Sequence, residues 1–136
     1  MPVLATPADL GPATEPPPPA NFDLAKTEAQ RAIRKFRVAP GFKVELVASE
    51  PLIQDPVMIE WDGEGRIWAV EMPGYMPDIN AKGEHAPIGK IVVLEDTNQD
   101  GRMDKRTVFQ DGLVLARWLK VLDRGVLVAE PPNLWL

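Results

Sequence analysis

The feature that most constrains the fold is a sequence pattern that occurs twice. The segments "DGEGRIWAVEMPG" and "DRGVLVAEPPN" share the order of a turn, an apolar strand, a glutamate and a proline. Glu71 and Glu130 are therefore equivalent and lie 59 positions apart, as do Pro73 and Pro132. A repeat of this kind, built on short apolar stretches, favours an architecture in which similar groups of strands stack on one another.

Three β-hairpins are predicted, each from two strand-like stretches around a turn. "VMIEW" and "RIWAVEM" flank a turn at Asp62–Gly65, "KIVVLE" and "RTVF" flank an acidic loop, and "RWLKVL" and "VLVAE" flank "DRG". Apolar stretches separated by Gly- and Asp-rich clusters are typical of hairpins. Between Met72 and Gly89 the chain has a long polar stretch. This stretch is longer than an ordinary connection between two strands. Loops of such length tend to be functional or to cover another surface.

The hairpins and the repeat together predict an all-β fold, a partial β-propeller of about one and a half blades. The first blade uses strands near 57–61, 66–71, 90–95 and 106–109, and the second begins near residue 117. Because blades bury their faces against neighbouring blades, we expect the chain to be the N-terminal part of a longer propeller. Its exposed apolar faces would then carry tryptophans. The alternative is a complete small β-sandwich or barrel.

The N-terminal part of the chain differs from the rest in composition. Residues 1–22 are dense in proline, which predicts a disordered tail. Thr27 and Gln30 form a capping-box pattern, and apolar residues follow at helical spacing. A short helix is therefore predicted over about 27–36, packed on its own domain.

The predicted domain organisation has three parts. The tail covers residues 1–22, a short helix and linker cover 23–41, and the β-propeller fragment covers 42–136. The last part opens with "FKVELVA", whose alternation has β character.

Composition excludes several classes of protein. The net charge is -5 and no long basic run occurs, which argues against nucleic-acid binding. The chain has no cysteine, which excludes disulfides, thiolate catalysis and covalent haem attachment. No apolar run reaches the roughly 18 residues of a membrane span. No signal-peptide pattern is visible at the N-terminus.

The acidic loop "DTNQDGRMD" is the best candidate for a metal site. Asp96, Asn98, Asp100 and Asp104 occupy positions 1, 3, 5 and 9 of a calcium loop, Gly101 occupies position 6, and Arg102 offers its carbonyl. Calcium prefers oxygen ligands that a tightly coiled chain supplies in alternation. The sequence therefore predicts a calcium-binding loop.

This loop departs from an EF-hand in two respects. Thr107 stands at position 12, where an EF-hand has a bidentate glutamate, and strands replace the flanking helices. We therefore expect a weaker site, whose ion holds a blade together. The alternative is a metal-free turn held by side-chain hydrogen bonds, with Lys105 and Arg106 relieving the repulsion of the aspartates.

Residues 36–136 resemble a known family. "GFKVELVASEP", "EMPGYMPD", "DTNQDGRMDKRTVF" and "VLVAEPPNLW" are similar to the start of the planctomycete-type haem-binding proteins described as membrane-bound dehydrogenases. Their propeller resembles that of the soluble quinoprotein glucose and sorbosone dehydrogenases. The resemblance implies an oxidoreductase acting on a small sugar or polyol, with a quinone cofactor such as PQQ. It also implies a periplasmic or extracellular location.

Members of that family continue through a full propeller to a c-type haem segment with a CxxCH site, and this chain has no cysteine. The resemblance therefore implies an N-terminal fragment of a dehydrogenase, inactive alone, whose partner is the remainder of its own propeller. The alternative function is a non-enzymatic, calcium-stabilised propeller module that binds a carbohydrate or a protein.

Several further residues are weaker site candidates. His85 is the only histidine and is a candidate general base, although a solvent-exposed loop position is the alternative. Glu71 and Glu130 end equivalent strands, where carboxylates would either bind a ligand at the propeller mouth or accept backbone hydrogen bonds at a blade corner. Tyr75 and Asp78 are further mouth candidates. The four tryptophans are expected to be core residues: Trp61, Trp68, Trp118 and Trp135.

Overall fold

The predicted all-β class is confirmed. The computed structural model describes residues 28–136, and within this range the protein consists of two antiparallel β-sheets and one short helix, α1 (Glu28–Ile33). The tail predicted over residues 1–22 lies outside the described residues, and so does Thr27, the first residue of the predicted helix.

Each sheet is a simple meander in which neighbouring strands are consecutive in the chain. The first sheet has the order β1 (Pro56–Trp61), β2 (Ile67–Glu71), β3 (Gly89–Glu95) and β4 (Lys105–Leu113). The second sheet has the order β5 (Trp118–Leu122), β6 (Gly125–Glu130) and β7 (Asn133–Trp135). The predicted strands of the first blade agree with these bounds within one residue, except at the end of β4. That strand continues to Leu113, and its register with β3 shifts twice along its length.

The helix is shorter than predicted. Beyond Ile33 the N–H groups of Lys35 and Phe36 bond to carbonyls three residues earlier, at 3.0 and 3.1 Å. Bonds of this spacing tighten the chain into a final turn and end the α-helix. Phe36, which lies within the predicted helix, is exposed and follows the last helical residue, Ile33.

The segment between the helix and β1 contains no strand, despite the alternation of "FKVELVA". It lies instead against the first sheet, and the Val47 carbonyl accepts a hydrogen bond at 2.8 Å from Met103 N in the loop before β4. Its apolar side chains cover one face of that sheet: Val47, Ala48, Leu52 and Ile53. We call these residues, Val47–Ile53, the N-terminal cap.

Each sheet has two faces, defined here by the buried residues they carry. The contact face of the first sheet includes Trp68 and Val70, which form one core with Leu119 and Val128 of the second sheet. The outer face of the first sheet includes Ile67, Ala69, Val92 and Leu94, which form a second core with the N-terminal cap. Alternation along a strand places successive residues on opposite faces.

The two sheets are equivalent residue by residue. Met58 pairs with Val70 across β1 and β2, and Trp118 pairs with Ala129 at the same place in β5 and β6. The next pairs, Ile59–Ala69 and Leu119–Val128, continue the equivalence. The repeat found in the sequence therefore corresponds to a repeated strand register.

The equivalence shows that the sheets stack head to tail. The contact face of the second sheet carries Leu119 and Val128, whose equivalents Ile59 and Ala69 lie on the outer face of the first sheet. The two sheets thus meet through different faces, as in a heterologous interface rather than a symmetric one.

An ion pair connects the inner edges of the two sheets, the edges formed by β1 and β5. The Glu60 carboxylate on β1 binds Lys120 Nζ on β5 and accepts a hydrogen bond from Val121 N at 3.1 Å. These bonds, that from Lys120 first, lower the pKa of Glu60 below its ordinary value even though desolvation opposes the shift. Val121 N lies on the free edge of β5, where a backbone N–H has no partner strand in the part of the chain that the structure describes. The Glu60 carboxylate supplies the acceptor that this group would otherwise lack.

The prediction that all four tryptophans are core residues is wrong for two of them. Trp68 is buried, whereas Trp61 is 55% exposed and Trp118 is 39% exposed. Trp61 and Trp118 lie on the outer faces of their sheets near the inner edge, beyond the reach of the N-terminal cap.

Candidate functional site

The site residues predicted in loops divide between opposite ends of the first sheet. The β1–β2 turn and the acidic loop between β3 and β4 lie at one end, because consecutive strands are antiparallel. The loop over residues 72–88, which carries Tyr75, Asp78 and His85, lies at the other end. A metal in the acidic loop would therefore not reach a ligand at the 72–88 loop.

The acidic loop is coiled by hydrogen bonds from its own backbone. The Asp96 carboxylate accepts the N–H groups of Asp100 and Gly101, at 3.2 and 2.8 Å. Asn98 Oδ1 accepts Asp100 N at 3.0 Å, and Asp100 Oδ1 accepts Arg102 N at 2.9 Å. Gly101 has a φ of +88°, which glycine adopts without strain.

Asp104 closes the loop at its base. Its carboxylate accepts Thr97 N at 3.0 Å and Thr97 Oγ1 at 2.8 and 2.9 Å. The backbone hydrogen bond from Thr97 lowers the pKa of Asp104 below its ordinary value. The loop thus has the hydrogen bonds of the metal-free turn that the sequence offered as an alternative.

The oxygen donors of the loop are of the type that calcium prefers. Among residues 28–136, however, no group of three or more Asp, Glu, His or Cys side chains is arranged to hold a metal ion. Calcium binding by Asp96, Asn98, Asp100, Asp104 and the Arg102 carbonyl stays a prediction.

The two basic residues after the loop both form ion pairs with glutamates. Lys105 Nζ pairs with Glu95 at 2.8 Å, and Arg106 Nη2 pairs with Glu71 at 2.9 Å. Backbone N–H groups donate to the carboxylate of Asp96.

Glu71 is buried at the end of β2 and is held by two donors. One oxygen accepts Gln54 N at 2.9 Å and the other accepts Arg106 Nη2 at 2.9 Å. The Glu71 side chain is only 2% exposed, so its charge depends on these partners. Accepting a backbone hydrogen bond in this way is the alternative to ligand binding that the sequence offered for Glu71.

Glu130 repeats the arrangement in the second sheet. One oxygen accepts Val114 N at 2.5 Å and the other accepts Trp135 Nε1 at 2.7 Å. Gln54 and Val114 stand at equivalent places, and the residues after them, Asp55 and Leu115, both have positive φ. The repeated glutamate thus ties the chain that enters each sheet to the end of the second strand of that sheet.

The remaining candidates lie in the 72–88 loop. Tyr75 and His85 are exposed, and Asp78 accepts the N–H groups of Asn80 and Lys82 at 2.7 and 3.1 Å. Asp78 therefore shapes its own loop. A cavity of ≈460 Å³ lies beside the loop, lined by Gln54, Glu71, Pro73, Pro87, Ile88, Lys90, Asp111 and Gly112. The structure does not bring Tyr75, Asp78 or His85 into this cavity.

Sequence reasoning missed the groove between the two sheets. A cavity of ≈650 Å³ lies between the β1–β2 and β5–β6 turns, with Trp61, Arg66, Lys120 and Arg124 among its lining residues. The turn residue Asp62 shapes one wall, because its carboxylate accepts Trp68 Nε1 at 2.9 Å and Arg66 Nε at 2.6 Å. Burial raises the pKa of Asp62, but the donors outweigh it and the pKa is lowered.

The fold and these contacts define a repeat protein built from stacked antiparallel sheets. A family model described as a domain of unknown function (DUF7133) matches residues 28–136, and the chain belongs to this family. No curated protein and no solved structure matches the chain significantly. Among residues 28–136, no helix combines the length and the apolar character that crossing a membrane requires.

Proposed function

We propose that the chain supplies adjacent blades of a β-propeller in a dehydrogenase of the quinoprotein type, exported to the periplasm or the cell exterior. The observation that carries the blade arrangement is the head-to-tail stacking of two equivalent sheets, with Leu119 and Val128 packed on Trp68 and Val70. Stacking through unlike faces lets further sheets follow in the same direction, which is how a propeller is built.

The role proposed for this chain within the dehydrogenase is scaffolding. Glu71 and Glu130, two carboxylates assigned to the proposed mouth, accept backbone hydrogen bonds that join segments of the chain. Residues engaged in this way hold the mouth in shape for a small sugar or polyol. The redox chemistry is assigned to the rest of the propeller, which is the proposed partner of this chain.

The described residues do not fit the implied redox groups. PQQ carries three carboxylates, whereas the cavity beside the 72–88 loop combines a single lysine, Lys90, with Glu71 and Asp111. Covalent c-type haem needs cysteines, and the chain has none. The acidic loop does offer oxygen donors suited to calcium, and there the proposed ion would stabilise the β3–β4 hairpin.

The test is dye-linked oxidation of aldoses and polyols by the natural protein that carries this sequence, with and without added PQQ and calcium. The 136-residue chain is assayed beside it. We expect dye reduction by the natural protein and none by the chain alone. Absence of reduction with every substrate would remove the dehydrogenase proposal.

A second candidate function is a non-enzymatic, calcium-stabilised propeller module that binds a carbohydrate or a protein. The groove between the sheets favours it, because an exposed indole beside several charged side chains is suited to a ligand with both an apolar face and polar groups. Saturable binding of an oligosaccharide without any dye reduction would support this function over the first.

A further inference from the structure

The segment that leads into the first sheet is the counterpart of β4, the strand that leads into the second sheet. Gln54 N binds Glu71 at the start of the first sheet, and Val114 N binds Glu130 at the same place of the second. β4 occupies the nine residues directly before Val114. The nine residues directly before Gln54 are residues 45–53, which include the N-terminal cap and the end of "FKVELVA".

The two counterparts also pack in the same way. Leu113, the last residue of β4, belongs to one core with Val128 of the second sheet. Its counterpart Ile53 packs against the core that contains Ala69, and Ala69 is the residue of the first sheet that is equivalent to Val128. The N-terminal cap therefore occupies, on the first sheet, the place that the end of β4 occupies on the second.

The two counterparts differ in the strands that accompany them. β4 is the fourth strand of a sheet, and that sheet fully buries Leu119. Residues 43–48 alternate like a strand but pair with no strand among residues 28–136. Ile59, the counterpart of Leu119, is 42% exposed, and Trp61 beside it is exposed too. Within the described residues, the inner strands that cover the second sheet thus have no counterpart over the first.

We propose that residues 43–48 form the outer strand of a further sheet, whose other three strands come from another part of the natural protein. This sheet packs on the outer face of the first sheet, with its inner strands over Ile59 and Trp61. The inference rests on the blade arrangement proposed above and deepens it. It specifies the partner, a three-stranded antiparallel sheet with a free outer edge, and the segment that completes that sheet.

The backbone of residues 43–48 offers one side to such a partner. The Val47 carbonyl accepts Met103 N at 2.8 Å, so this side of the segment faces the first sheet. In an extended chain the N–H and C=O groups of successive residues point to opposite sides. Those of Val44, Leu46 and Ala48 therefore point away from Met103, where a neighbouring antiparallel strand can bond to them.

Ring closure favours a sheet of the same protein as the partner. Sheets that stack head to tail around a ring bring the last sheet onto the outer face of the first. If the last sheet receives its outer strand from residues 43–48, backbone hydrogen bonds as well as packing join the two ends of the ring. The pairing also removes a free strand edge from each partner.

Hydrogen exchange of the natural protein, read at single amides by mass spectrometry, tests the pairing. One neighbouring strand protects alternate residues, so the amides of Val44, Leu46 and Ala48 should exchange at least about a hundredfold more slowly than that of Glu45. A segment that only lies on the first sheet would show no alternation. Uniformly fast exchange over residues 43–48, or protection without alternation, would overturn the inference.

Two proline variants of the natural protein form a matched pair. Leu46→Pro removes an N–H that points to the proposed partner, and it should speed the exchange of Val44 and Ala48 at least about tenfold. Glu45→Pro removes an N–H on the other side, where an outer strand tolerates proline, and should leave both rates nearly unchanged. Equal effects of the two prolines would contradict the pairing. If circular dichroism shows that Leu46→Pro does not fold, Val44→Pro replaces it, and exchange is then read at Leu46 and Ala48.

Photo-crosslinking identifies what covers Ile59 and Trp61. A benzophenone amino acid at position 61 of the natural protein should capture a peptide from outside residues 1–136, in a product with the mass of one chain. The same group at position 79 is the control, because Ile79 is 95% exposed in the 72–88 loop. A product with the mass of two chains would identify a second copy and overturn the inference. So would the absence of any captured peptide from outside residues 1–136.

The outcome is distinguishable from that of the dehydrogenase test. Fast exchange over residues 43–48 together with dye reduction by the natural protein would remove this inference alone and leave the proposed function standing. Alternating protection and the expected crosslink without any dye reduction would remove the dehydrogenase and leave the pairing.

Discussion

Glu71 and Arg106 form an ion pair across the first sheet although β3 lies between their strands. Both side chains are at most 9% exposed, and the Arg106 Nη2 atom lies 2.9 Å from Glu71 Oε2. The pair extends along the outer face, where Gln54 N also donates to the Glu71 carboxylate at 2.9 Å. Removing the Glu71 carboxylate therefore takes one acceptor away from a buried guanidinium.

We expect Glu71→Gln to lower the free energy of unfolding by about 3 kcal/mol, because it leaves the charge of Arg106 buried without its carboxylate. Urea denaturation at pH 7 measures the change. Glu95→Gln is the matched control, since it removes the more exposed pair with Lys105. It should cost less than about 1 kcal/mol. Equal losses of unfolding free energy in the two variants would show that the buried Glu71 pair contributes no more to stability than the exposed Glu95 pair.

Asp62→Asn should lower the free energy of unfolding by about 2 kcal/mol at neutral pH, because one oxygen that accepts from Arg66 Nε and Trp68 Nε1 becomes an amide nitrogen. The lowered pKa of Asp62 fixes the sign of the pH dependence. Its contribution is complete above the ordinary value of 3.8 and is lost as the pH falls through the lower folded value.

The pH dependence is measured by urea denaturation of wild type and Asp62→Asn between neutral pH and about pH 2. The two proteins should converge as the pH falls. A difference that grows at acid pH would contradict a depressed pKa.

Gly89→Ala should lower the free energy of unfolding by about 2 kcal/mol. A methyl group at residue 89 would lie 2.8 Å from the carbonyl oxygen of Leu113, and this backbone neighbour cannot rotate away. Thermal unfolding measures the change. Gly63→Ala, at a position with open space, is the control and should change stability by less than about 0.5 kcal/mol.

Calcium should bind to the wild-type chain with a dissociation constant of about 0.1–1 mM, because Thr107 replaces the bidentate glutamate of a tighter loop. Titration calorimetry on wild type and on a variant with Asp96→Ala and Asp100→Ala tests this. The variant should give no binding heat, whereas Asp111→Ala should bind like the wild type. Identical heats from the wild type and the double variant would rule the loop out as the site.

The hairpins could be predicted from the sequence because the residues that specify their strands and turns are neighbours in the chain. Alternating apolar residues and a glycine-containing turn fix the strands of β1–β2 and β5–β6, and the repeated glutamates fix the equivalence of the sheets. The acceptance of backbone hydrogen bonds by Glu71 and Glu130 was likewise one of two alternatives that their repetition suggested.

The faces and the partners of the side chains could not be predicted in the same way. Trp61 and Trp68 lie on opposite faces of one hairpin, and the alternation does not say which face another segment covers. Glu71 and Arg106 are 35 positions apart in the chain, and their contact depends on the reach of the arginine side chain across the sheet. No local sequence pattern indicates such a pair. Tertiary contacts place the N-terminal cap, Val47–Ile53, against the first sheet. Within the described residues, these contacts override the β character of "FKVELVA", which overlaps the start of the cap.

The opposite charges of Glu60 and Lys120 have a consequence for how such a molecule can grow by gene duplication. A copy made of the first sheet alone would place glutamate against glutamate at the inner edge, and a copy of the second sheet alone would place lysine against lysine. Duplication of both sheets together preserves opposite charges at every junction. The smallest segment that can be duplicated without electrostatic conflict is therefore the pair of sheets, about twice the length of the repeat visible in the sequence.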